Sequence, residues 1–182
     1  MAPMVRIPMT TELALLGFLN EQPMHGYEIH RRMSDPKGLG QVWHIKQSQL
    51  YSLLGKLEDA GYITSILEAQ DSKPPRKIYR LSATGRSTYT EWLKEPVDTG
   101  RRMRLEFLVK FYFALAQGQK TALDLVKKQK TVCNDWLVNH QEMLKETSDQ
   151  DTFNELIFQY RTGQIKAMLA WLEACEHSLA IN

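Results

Sequence analysis

The sequence predicts a mainly α chain with one small β-hairpin, divided into a mixed N-terminal half and an all-helical C-terminal half. Three observations predict it. Apolar residues recur at three- and four-residue spacing along most of the chain. β-Branched and alternating character is confined to 62–67 and 77–81. Residues 96–100, Pro-Val-Asp-Thr-Gly, read as a linker, which sets domains at 1–95 and 96–182.

The elements follow in order. Thr10 and Thr11 offer an N-cap to a helix with an apolar run at Leu13, Leu16 and Leu19, which ends before Pro23. A second helix starts near His25 and Gly26, carries Tyr27, Ile29, His30 and Met33, and stops before Asp35-Pro36-Lys37-Gly38. A third runs from about Lys46 to Ala60, with Leu50, Leu53, Leu54 and Leu57 on one stripe and Gly61 as C-cap. The strand at 62–67 then meets a turn at 71–75, where Pro74 and Pro75 are expected to stop any ladder. The strand at 77–81 returns, and Ser82 caps a fourth helix reaching Leu93. Beyond the linker, one helix is expected over 104–116 with apolar residues on two sides, so it needs cover on both. Two long amphipathic helices follow, the last one capped by Ser148 and Asp149; they suit an antiparallel pair or coiled-coil packing between chains.

Composition excludes several classes. Hydrophobic residues make up 43% of the 182, enough for a packed core and too many for wholesale disorder. The longest apolar runs, 13–19 and 111–116, are too short to cross a bilayer, and no signal peptide is read, so the expected location is the cytoplasm. Cys133 and Cys175 stand far apart in helical stripes and read as apolar thiols in preference to a disulfide or redox pair. The five histidines show no metal-ligand spacing, and no hydrolase, phosphate-loop or dinucleotide motif is present. No metal, no cofactor and no catalysis are therefore expected. The formal net charge of +2 tilts weakly to the first half: 12 Lys and Arg stand against 9 Asp and Glu through Lys94, and 11 against 12 beyond it. That tilt alone does not select nucleic acid.

The arrangement says more than the charge. Three helices followed by a hairpin with a basic tip form a winged helix-turn-helix. On the third helix, Ser48, Ser52 and Gly55 lie opposite the leucine stripe, flanked by Tyr51 and Lys56. Small groups let a helix backbone approach the floor of a major groove. Gln47 and Gln49 sit in the first turn, and Gln can bond an adenine edge with both amide atoms. Lys73, Arg76 and Lys77 form the basic tip, suited to phosphates or a minor groove. His25 and Tyr27 at the start of the second helix have two readings, phosphate anchor or helix docking.

Here a resemblance becomes specific. Residues 13–19 (LALLGFL), 25–29 (HGYEI), Trp43, 49–51 (QLY) with Leu54, 56–58 (KLE), 61–63 (GYI) and 77–86 (KIYRLSATGR) occur in the order and spacing of the PadR-like family of bacterial regulators. The segment 104–110 (RLEFLVK) resembles the opening of the long C-terminal domain in that family's larger members. The resemblance implies a homodimer with interlocked C-terminal helices that binds an inverted-repeat operator on double-stranded DNA. It implies a repressor in most cases, and for many members a small aromatic effector. It also implies a second basic residue where this chain has Gly55.

Two alternatives stay open at this level. Phe111, Trp136, Tyr160 and Trp171 are either dimer core or the flat walls of an effector pocket. The whole chain is either a DNA reader or a protein-docking module, since winged helices serve both.

Overall fold

The computed structural model describes residues 10–70, 73–146 and 152–181. The expected Ser148–Asp149 cap lies outside them. The chain forms two compact units, Met1–Leu93 and Lys94–Asn182.

In the first unit, helix α1 (Thr10–Glu21) starts at Thr10 and buries every residue from Glu12 to Leu19, where the sequence had suggested one stripe. It is the central rod of this core, apolar all round because it is covered all round. Strand β1 (Met24–His25) leads directly into α2 (Gly26–Met33). Helix α3 (Gln47–Asp59) buries Leu50, Leu53, Leu54 and Leu57, the stripe read from the sequence. Gly61, at φ +76, closes it: its N–H bonds Glu58 O at 3.0 Å and Tyr62 N–H bonds Leu57 O at 2.9 Å. Strands β2 (Ile63–Gln70) and β3 (Lys73–Leu81) make the hairpin. Ser82 Oγ accepts from Gly85 N–H at 3.0 Å, capping α4 (Ala83–Lys94) as expected.

Two expectations are corrected here. The hairpin is part of a three-stranded antiparallel sheet, order β1-β3-β2, because Met24 and His25 pair with Tyr79 and Ile78. The prolines at 74 and 75 do not end the ladder, since β3 begins at Lys73, which pairs with Gln70. β1 covers only Ile78 and Tyr79, so at 74 and 75 the strand has a neighbour on one side only. The register also shifts between Glu68 and Gln70, and both features spare the missing N–H groups a partner.

In the second unit, the short α5 (Gly100–Arg102) continues through a π-helical turn, Met103–Phe107, into α6 (Leu108–Gln117). The expected single α-helix over 104–116 is thus broken at its start. The wider turn holds an ion-pair chain: Arg102 bonds Asp98 at 3.0 Å and Glu106 at 2.6 Å, and Glu106 stands 3.5 Å from the buried Lys110. Lys110 Nζ also donates to Glu95 O at 2.7 Å, and the buried Gln129 amide bonds Val97 N–H at 2.7 Å and Val97 O at 3.1 Å. Helices α7 (Gln119–Glu146) and α8 (Thr152–Ile181) complete the unit. Phe107, Phe113, Leu125, Val126 and Leu172 are in its core; Cys133 is buried there and Cys175 half-buried. Burial raises both thiols above their usual range, so both stay protonated and poorly nucleophilic at neutral pH.

Candidate nucleic-acid interface

The first unit carries a groove of about 680 Å3, lined by His25, Gly26, Tyr27, Tyr51, Arg76, Lys77 and Tyr79. Three elements build it. The first turn of α2 supplies one wall, the middle of α3 the second, and β3 of the wing the third. Five residues singled out in the sequence therefore meet in one place: His25, Tyr27, Tyr51, Arg76 and Lys77.

Each is held by a local cause. Gly26 lets α2 lie against α3, because a Cβ there would stand 2.6 Å from Tyr51 Cε1. Tyr51 is still 42% exposed, so its ring is positioned by the fold and its edge remains free. The Glu28 carboxylate accepts from His25 N–H at 2.9 Å. That reciprocal cap occupies one of the helix-start amides expected to anchor phosphate. The His25 ring reaches the wing, with Nδ1 3.0 Å from Lys77 O and Nε2 3.3 Å from a Glu68 carboxylate oxygen. Tyr27 is half-exposed, with the Arg31 guanidinium 5.7 Å from its ring centre.

The two wing cations are not equivalent. Arg76 is exposed on β3 opposite Glu68. Lys77 Nζ bonds the Glu58 carboxylate at 2.9 Å, and Ser65 Oγ donates to the same carboxylate. Those bonds, Ser65 first and Lys77 second, hold the Glu58 pKa below its ordinary value, while Glu58 raises that of Lys77. Lys77 thus faces any phosphate with part of its charge already answered. Lys73 opens β3, and its side chain lies outside the described residues.

A second set does not line the groove. Gln47, Ser48, Gln49, Ser52 and Lys56 are all exposed on the outer side of α3. The first bond of that helix runs from Leu50 N–H to Lys46 O at 3.0 Å, so the amides of Gln47, Ser48 and Gln49 precede its ladder. Lys46, extended at the N-cap position, supplies no side-chain cap. A Cβ built on Gly55 would meet nothing within 4 Å, so no packing inside this chain requires a glycine there.

Sequence reasoning missed Tyr79, the buried floor of the groove, along with Glu58, Ser65 and Glu68, which hold the cations and His25. The alternation in 77–79 places Lys77 and Tyr79 on the same face of the strand, which was the signal available for Tyr79. The acids gave no signal, because their partners are 7 to 43 residues away and were fixed only by the register.

The four C-terminal aromatics do not form one wall. Phe111 and Trp171 stand edge to face at 5.8 Å, both against Phe107. Trp136 lines a separate cavity. Tyr160 is 63% exposed on α8, its hydroxyl accepting from the Gln164 amide at 2.9 Å. Among the described residues no helix is long and apolar enough to cross a membrane, and no group of His, Cys, Asp and Glu is placed to hold a metal.

Residues 15–91 match the family described as "Transcriptional regulator PadR-like family", and residues 103–180 match "Virulence activator alpha C-term". The "Negative transcriptional regulator PadR" of Bacillus subtilis is 28% identical over 170 residues, 88% of this chain and 92% of that protein. A "Probable transcriptional regulator" of Mycobacterium tuberculosis is 31% identical over 88 residues, 48% of this chain and 46% of that protein. The solved structure of Bacillus subtilis PadR in complex with operator DNA has 27% identity and a TM-score of 0.48, covering 94% of this chain and 99% of that one. The same relative in complex with p-coumaric acid has 26% identity and a TM-score of 0.42 over the same shares.

Proposed function

This chain belongs to the PadR-like family of DNA-binding transcriptional regulators, and on that premise we propose that it is a homodimeric repressor of an inverted-repeat operator, released by a small aromatic effector. The groove that gathers His25, Tyr27, Tyr51, Arg76 and Lys77 carries this reading. In it, α3 enters the major groove with Gln47, Ser48, Gln49, Tyr51 and Ser52 toward base edges. Lys56 and the wing residues Lys73, Arg76 and Lys77 take phosphates. Domain 1–95 does this reading, and 96–182 joins two copies and receives the effector.

Support for the dimer comes from α8. Phe153, Leu156 and Tyr160 are each more than half exposed, and they share one side of the helix with Ala167 and Trp171. Such a stripe needs cover, and a second copy of α8 offers the same stripe in a symmetric, self-complementary interface. Two winged units then meet successive major grooves, roughly 34 Å apart. The sign of regulation follows the Bacillus subtilis relative, whose name makes it a negative regulator. Regulation by DNA contact places the protein in the cytoplasm and asks no catalytic step of it.

One observation favours protein docking instead: Ile66 and Leu67 on the wing are 48% and 68% exposed. A fluorescence-anisotropy titration of a duplex from the gene's own upstream region, against a scrambled duplex at two salt concentrations, separates the readings. Tight, salt-steep binding to the upstream duplex and much weaker binding to the scramble are expected. Weak and equal binding to both would overturn the regulator in favour of docking.

A further inference from the structure

Residues 96–100 read as a linker in the sequence, yet the chain from Lys94 to Asp98 is fastened to side chains of the helical unit. Helix α4 ends at Lys94. The last carbonyls of a helix have no partner within it. Here Lys94 O accepts from Lys128 Nζ at 3.0 Å, and Glu95 O accepts from Lys110 Nζ at 2.7 Å. Lysines at a helix C-terminus also answer the negative end of its dipole. Two residues on, the Gln129 amide closes on both sides of Val97. Its Oε1 accepts the Val97 N–H at 2.7 Å, and its Nε2 donates to Val97 O at 3.1 Å. Val97 is 1% exposed and Gln129 is fully buried. Asp98 is then tied to Arg102 at 3.0 Å.

A side-chain amide paired with both backbone groups of one residue fixes that residue in position and direction. Breaking the pair leaves a buried N–H and C=O unsatisfied. Packing alone does not ask for glutamine here. Leu125, Val126 and Cys133 share its side of α7 and are buried. Lys110 likewise shares its side of α6 with the buried Phe107, Phe113 and Ala114. Each polar group stands on an apolar face, and each is spent on the backbone of residues 95–97.

We propose that Gln129, supported by Lys110 and Lys128, is a positioning residue for operator recognition. By holding residues 94–98 on the helical unit, it leaves no free tether after α4, so that a dimer accepts one half-site spacing. The inference rests on the regulator proposed above and adds to its specificity a residue that touches no DNA. Let loose, residues 94–99 would reach up to roughly 20 Å in each chain. Half a turn of DNA displaces a half-site by roughly 17 Å. The clamp therefore decides whether a misplaced half-site is within reach.

The test uses the full chain with the upstream duplex and with the same duplex carrying about half a turn, roughly 5 base pairs, inserted at its centre. The readout is the ratio of the two affinities. The wild type should prefer the unaltered duplex roughly 100-fold, and Gln129→Leu should cut that preference about tenfold. Lys128→Met, at an exposed position, should shift the ratio the same way by a smaller factor. Lys120→Ala, on the same helix and paired with Asp124, should leave it unchanged. A merely structural defect would weaken binding to both duplexes by one factor. That result in Gln129→Leu and Lys128→Met would overturn the inference, and Lys128→Met decides alone if Gln129→Leu does not fold. Amide exchange without DNA keeps the two claims apart. The Val97 N–H should exchange about tenfold or more slowly in the wild type than in Gln129→Leu. Free exchange of Val97 in the wild type would overturn the clamp whatever the DNA result. A protected Val97 with equal binding of upstream and scrambled duplexes would remove the regulator, and the operator role of Gln129 with it.

Discussion

Helices α1 and α8 are both rich in apolar residues, yet α1 buries every residue from Glu12 to Leu19, while Leu172 alone is buried among the described residues of α8. The winged unit covers its own rod with α3 and the sheet; its exposed large apolar and aromatic side chains among the described residues are Tyr27, Tyr51, Ile66 and Leu67. The helical unit leaves the length of its last helix half-covered. The exposed stripe of that helix is the surface proposed above as one half of an interface. On the proposal above, reading belongs to the first unit and assembly to the second, and substitutions at several points test that division.

The largest effect is expected on α8. Replacing Leu156 and Tyr160 together by Glu puts charge on the exposed stripe without touching Leu172 or the α7 contact. Sedimentation velocity should show the mass halved with helicity retained. Affinity for the upstream duplex should fall by roughly 10²- to 10⁴-fold, since the second half-site no longer binds within the same complex. An unchanged mass would move the interface elsewhere.

Next comes Gly26→Ala. The added methyl meets Tyr51 at 2.6 Å, so α2 or the ring must move. Overpacking of this kind costs about 1–3 kcal/mol, read as a lower urea midpoint. Specific DNA binding should weaken with it, and a midpoint equal to that of the wild type would mean that Tyr51 swings away freely.

The wing sharpens the comparison further. Arg76→Ala should weaken binding to specific and scrambled duplexes alike and lower the salt slope by about 1. Lys77→Ala should do less, because Glu58 already holds that ammonium at 2.9 Å. Glu58→Gln should tighten binding to both duplexes several-fold. Equal losses at Arg76 and Lys77 would show that the Glu58 pair opens on DNA.

The smallest effect belongs to Gly55. Alanine there has open space, so thermal stability should rise by about 0.5–1 kcal/mol from better helix propensity. Specific binding should fall modestly if α3 lies close to the groove floor. A gain in stability with no loss of affinity would place Gly55 away from the DNA.

Much of the fold was legible because its signals are local. The spacing of Leu50, Leu53, Leu54 and Leu57 set both the helix and its outward face. Ser82 and Gly61 marked the ends of their elements. What was not legible depends on partners remote in sequence. Met24 and His25 carry no strand signal of their own and become a strand only by pairing with Tyr79 and Ile78. The prolines at 74 and 75 forbid a ladder in isolation, but not where one side of the strand is bare. The clamp of Glu58, Ser65 and Lys77 joins three elements and appears only when the hairpin register is set. Periodicity put Phe111, Trp136, Tyr160 and Trp171 on helical faces without saying which faces meet; the fold sends Trp136 to one cavity and Phe111 with Trp171 to another cluster. In the candidate interface, residue types on α3 were readable from the wheel, whereas the convergence of His25, Tyr27 and Tyr51 with the wing was not.

Base reading by α3 is tested most directly by the ratio of affinities for the upstream and scrambled duplexes in Tyr51→Ala. A loss of roughly tenfold on the upstream duplex, about 1.4 kcal/mol, is expected, with little change on the scramble. Equal losses on both duplexes, or none on either, would contradict it.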